Sequence, residues 1–69
     1  MTTAQLGKSL QSRRKKVQLS QAYVAELAGL SSRQLSEWEA GRGNPSFGQL
    51  QAVLDVLGLE LRIELKQLT

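Results

Sequence analysis

Residues 19–41, LSQAYVAELAGLSSRQLSEWEAG, decide how this chain folds, because they carry two complete sets of helix start and stop signals. Ser20 stands before QAYVAELA, where its hydroxyl can accept from the free N–H groups of a first turn, and Gly29 can close that helix in the left-handed conformation. Ser31 then opens another helix, with Gln34 three residues later as a capping box requires. Only Gly29, Leu30 and Ser31 separate the two, which predicts a steep crossing about a glycine turn.

The second of these helices, SRQLSEWEA, has two unlike faces. At about 100° per residue, Ser32, Ser36, Ala40, Arg33 and Glu37 share one side, while Leu35 and Trp38 lie opposite. One face is apolar and the other offers hydroxyls, one arginine and one glutamate. Trp38, beside Leu35, therefore reads as core rather than as a platform for stacking bases. In a helix-turn-helix the second helix enters the major groove, with residues near its N-terminus at the base edges.

Outside this stretch the chain supplies two more helices and a different ending. Leu6, Leu10 and Val17 fall on one side of a helix from about Thr3 to Lys16. Ser46 and Gln49 repeat the capping-box spacing and start a helix to Leu57, with Leu50, Val53, Leu54 and Leu57 as its buried stripe and Gly58 as its stop. From Leu59 to Lys66 the pattern changes to strict alternation, with Leu59, Leu61, Ile63 and Leu65 on one side and Glu60, Arg62, Glu64 and Lys66 on the other. That is the period of a half-buried strand. Nothing earlier alternates, so the strand has no partner within the chain. The fold expected is all-α with a C-terminal β-strand: a helical domain over residues 1–58 and a strand segment over 59–69.

Composition narrows the function. A chain of 69 residues buries only a modest core, which makes a second subunit a natural source of stability. There is no cysteine and no histidine, which removes thiol nucleophiles, imidazole or thiolate metal sites and the commonest general base. No enzymatic role and no cofactor are expected. No apolar run approaches a membrane span, and MTTAQLGKSLQS lacks the pattern of a secretory signal, so a cytoplasmic protein is expected. The net charge is +3, with seven basic against three acidic residues up to Pro45 and two against three from Ser46 on. An anionic partner would meet the first two thirds, although the RRKK run at 13–16 is equally suited to a solvated helix end.

Taken together, Leu19, Ser20, Gln21, Val24, Ala25, Gly29, Ser31, Leu35, Glu39 and Gly41 resemble, without a gap, the Cro/C1-type (XRE) helix-turn-helix family. With the upstream arginines and the following N-P-S, the resemblance spans Leu6 to Leu57. Tyr23 and Ala40 depart from it, standing where polar residues are common. It implies a lambda-repressor-like domain of four helices that binds double-stranded DNA sequence-specifically and regulates transcription, as a repressor. By the same resemblance Gln21 matches a phosphate-binding glutamine, suited to a helix N-terminus. Ser31, Ser32, Arg33, Ser36 and Glu37 match positions that face bases or backbone. Arg33 can take guanine N7 and O6, and Glu37 can accept from a cytosine amine; a surface ion pair between them is the alternative. In the loop GRGNP, Arg42 and Asn44 can supply donors to a phosphate or can simply shape a turn. Arg14 and Glu39 match a family ion pair locking the first helix to the third.

The tail supplies the expected symmetry. Pairing two copies of it antiparallel about Ile63 sets Glu60 against Lys66 and Arg62 against Glu64, whereas a shift to Arg62 or Glu64 brings like charges together. A homodimer through Leu59, Leu61, Arg62, Ile63, Glu64 and Leu65 would present two recognition helices to a palindromic operator. A terminal strand after such a domain also resembles the HipB-type antitoxins, which implies a toxin-antitoxin operon and a HipA-like kinase toxin as a second partner. A phage-type repressor, a restriction-modification controller, or an inhibitor whose main task is masking a toxin are the alternatives.

Overall fold

The computed structural model describes residues 1–66. Four helices follow one another: α1 (Thr3–Lys16), α2 (Gln21–Ala28), α3 (Ser32–Glu39) and α4 (Phe47–Leu57). Each begins at a hydroxyl residue in extended conformation whose side chain accepts from the backbone N–H three residues on: Thr2, Ser20, Ser31 and Ser46. At Thr2, Ser31 and Ser46 the return bond from a glutamine completes a capping box. Each such cap satisfies N–H groups that the first turn leaves free, worth about 1 kcal/mol. Gly29 and Gly58 end α2 and α4 in the left-handed region.

Leu10, Val24, Leu35 and Val53, one from each helix, are fully buried, and Ala25, Trp38, Leu54 and Leu57 complete the core around them. Leu6, Val17, Leu19, Leu30, Leu50 and Leu59 cover its margins. α1 packs on α3 and α4, and α2 on the same two helices. The approach of α1 to α3 depends on Gly7, because a Cβ there would overlap the carbonyl oxygen of Trp38 and lie 2.9 Å from that of Glu39. Arg13 ties α1 to α4 by donating from Nε to the Leu57 carbonyl at 2.8 Å, at the helix end where free carbonyls favour a cation.

The expected C-terminal strand is not formed. Among the described residues there is no strand, and Leu59 to Lys66 continue past Gly58 without regular structure. The reason lies in the backbone: a strand is held by hydrogen bonds to a neighbour, and the described residues contain no second strand to provide them. The apolar row does not lie over the helices either. Only Leu59 packs against the core, whereas Leu61 is 40% exposed, Ile63 97% and Leu65 100%. Residues 67–69, the end of the expected segment, lie outside the described residues.

Candidate nucleic-acid interface

α3 divides as a groove-reading helix must. Leu35 and Trp38 are buried with Glu39, and Ser32, Arg33, Ser36 and Ala40 are exposed, with Glu37 half-buried between the two faces. Ser31, also exposed, is the N-cap: its hydroxyl accepts from the Gln34 N–H at 3.1 Å, and its own N–H donates to Gln34 Oε1 at 3.0 Å. One lone pair of that hydroxyl is thus committed to the helix. On the exposed face Arg33 Nε stands 3.4 Å from Glu37 Oε1, a long contact between side chains one turn apart.

Behind this face sits a buried ion pair. Arg14 donates twice to Glu39, from Nε to Oε2 at 2.7 Å and from Nη2 to Oε1 at 2.9 Å, and its Nη1 donates to the Leu19 carbonyl at 2.9 Å. Burial alone would push the Glu39 carboxyl up; the hydrogen bonds from Arg14 and Gln21, with the charges of Arg14 and Lys15, more than offset it and hold the group below the ordinary carboxylate range. The hydrogen bond to Glu39 likewise raises Arg14 above its already high value. Fork-to-fork geometry is the strong form of such a pair. It joins the last turn of α1 to the last turn of α3 and, through Leu19, to the start of α2.

Gln21 belongs to this cluster, which its position in the sequence does not reveal. Its Nε2 donates to Glu39 Oε1 at 3.0 Å, so the amide is oriented from within the protein and only its second hydrogen is left for a phosphate. The loop after α3 is tied to the same helix. The Arg42 N–H donates to the Glu37 carbonyl at 2.8 Å, and the Arg42 and Asn44 side chains are exposed. Gly43 has φ +84°, and a Cβ on it would lie 2.9 Å from the Trp38 ring. The glycine therefore serves the packing of the loop on Trp38, a contact that the local sequence does not announce. Gln21, the outer face of α3 and Arg42 are thus connected through short hydrogen bonds to one helix.

The tail residues stand apart from this cluster. Arg62, Ile63, Glu64 and Leu65 are exposed, and Arg62 Nε lies 3.2 Å from Glu60 Oε2 within the tail itself. No helix among the described residues is long and apolar enough to cross a membrane, and no group of three or more acidic, histidine or cysteine side chains among them could hold a metal ion.

Two capped helices joined at Gly29, the second with a polar outer face and a buried inner one, define a DNA-binding helix-turn-helix domain of four helices. Comparison with known proteins agrees: the helix-turn-helix family matches residues 10–63, and the chain belongs to that family. It is also similar to the immunity repressor protein of Bacillus phage phi105, with 38% identity over 56 residues, which are 81% of this chain. The chain spans 39% of the length of that relative.

Proposed function

We propose that the protein is a sequence-specific repressor that binds double-stranded DNA as a homodimer. The observation that carries this is the division of α3, whose Ser32, Arg33 and Ser36 side chains are exposed at the surface while Leu35 and Trp38 anchor the helix in the core. Ser31, Ser32, Arg33, Ser36 and Glu37 face the major groove, and Gln21, Arg42 and Asn44 hold flanking phosphates. Phosphate contacts set register and affinity, and the α3 side chains set sequence. The similarity to a phage immunity repressor favours repression of a promoter as the outcome of binding.

The dimer is assigned to residues 59–66, in the register centred on Ile63, where a second copy would supply the backbone partner that the tail lacks. Its exposed Ile63 and Leu65 also keep a second reading in view, in which a toxin protein covers this segment and the protein acts as an antitoxin on its own operon. Selection from a random-sequence duplex library tests the first reading. The expected result is an inverted-repeat site bound at least a thousandfold more tightly than random DNA; equal affinity for selected and random duplexes would overturn it. Co-expression with the product of the neighbouring gene, followed by purification, separates repressor from antitoxin by whether a stable complex forms.

A further inference from the structure

Arg33 and Glu37 stand one turn apart on the outer face of α3, with Arg33 Nε 3.4 Å from Glu37 Oε1. The arginine side chain is 88% exposed and the glutamate 39%. The loop holds the Glu37 backbone, whose carbonyl accepts from the Arg42 N–H at 2.8 Å, while the one side-chain contact of the carboxylate is with Arg33. The shorter, less exposed acid thus sits at the base of the longer, more exposed arginine.

We infer that Glu37 is a positioning residue that aims the Arg33 guanidinium at a guanine, and is not itself the reader of a cytosine. The inference rests on α3 being the DNA-reading helix. With Nε turned toward Glu37, the two terminal Nη groups remain as a planar fork, and that fork matches guanine O6 and N7. In water the pair is weak, because both groups are hydrated and the arginine is mobile. In the groove, where water is displaced, the same attraction strengthens and restricts the fork before it meets the base. The pairing also explains how a carboxylate is tolerated on a face that meets phosphates: an unpaired one would be repelled, whereas one engaged with Arg33 lowers affinity for every sequence and returns the loss only where a guanine completes the arrangement.

The duplex that the wild-type protein selects from a random library, together with its complete set of single base-pair variants, tests this. Arg33→Ala should lose on the order of tenfold to a hundredfold discrimination at one G·C pair. Glu37→Ala and Glu37→Gln should lose discrimination at that same pair, and the double variant should lose no more than Arg33→Ala. Both Glu37 variants should meanwhile bind random DNA more tightly than the wild type, as removal of a negative charge requires. Relaxation by Glu37→Ala at a different pair, with the Arg33 pair still discriminated, would overturn the inference and leave α3 as the reading helix. Loss of discrimination nowhere, in Arg33→Ala as in Glu37→Ala, would overturn the inference and the DNA-reading assignment together. Both side chains lie outside the core, so unchanged melting temperatures of the variants would establish that folding is not what moves.

Discussion

Glu39 is 7% exposed and surrounded by donors: Arg14 twice and Gln21 once. A buried carboxylate is tolerable only with such partners, and removing one of them leaves a charge without solvation. Arg14→Ala should therefore cost about 3 kcal/mol, read as a drop in melting temperature of at least ten degrees or so for a domain of this size. An unchanged melting temperature would show that the pair contributes nothing. The sign of the pH dependence follows from the lowered Glu39 value. A carboxyl depressed in the folded state contributes stability in full above its unfolded value near about 4.3, and that contribution is lost as pH falls through the folded value. The difference in melting temperature between wild type and Glu39→Gln should accordingly be largest at neutral pH and shrink below about pH 4. A difference constant from pH 7 to pH 2 would contradict the charge-based account. At this scale the sequence is partly legible: Glu39 falls at the edge of an apolar face, where a carboxylate needs a cation, and Arg14 borders the stripe of α1. The third member is not legible, because the bond from Gln21 spans 18 residues and its helix-opening position reads as a solvent-facing one.

Helix boundaries were the most readable feature, since a cap is a bargain between residues three apart. Ser31 with Gln34 and Ser46 with Gln49 follow that rule, and Thr2 with Gln5 carries the same spacing at the start of α1. Ser31→Ala should remove about 1 kcal/mol, and a melting curve unmoved by it would mean that α3 is held by packing alone. What the helices do to one another is less readable. Gly7 looks like any weak helix former along α1, yet the carbonyls that would meet its Cβ belong to Trp38 and Glu39. Arg13 looks like one cation in a basic run, yet its partner is the Leu57 carbonyl, 44 residues away. Such contacts exist only after α1 has docked, so no local pattern announces them. Because backbone oxygens cannot rotate aside as a side chain would, Gly7→Ala must push α1 off α3. Overpacking of this kind costs about 1–3 kcal/mol, although alanine is the better helix former. A stabilised Gly7→Ala variant would show that the two helices approach less closely than described.

For the whole molecule the deciding segment is the tail. Alternation from Leu59 to Lys66 was legible, but a strand is a property of a pair, and one chain supplies only half of it. The exposed Ile63 and Leu65 and the opposed charges about Ile63 are the features that the proposed pairing of two tails would use. A single recognition helix reads only a few base pairs, so the second copy that would complete the strand would also supply the second half-site. Salt dependence reports the contacts of each half separately from the sequence they read. Arg42→Ala should lower the slope of log affinity against log salt by about 1 per half-site while leaving base preferences unchanged, and altered preferences would place Arg42 at a base instead. Ile63→Asp tests the symmetry itself. It would place two carboxylates face to face at the centre of the paired tails, where like charges oppose the pairing, yet it touches none of the helical core, so the monomer should melt as before. If the proposed dimer forms through the tail, sedimentation should then show a dimer for the wild type and a monomer for this variant at the same concentration. Binding to an inverted repeat should fall at the same time to the level of a half-site. A variant that remained dimeric would place the interface elsewhere on the helices, and one that became monomeric with full operator affinity would show that the two recognition helices act independently.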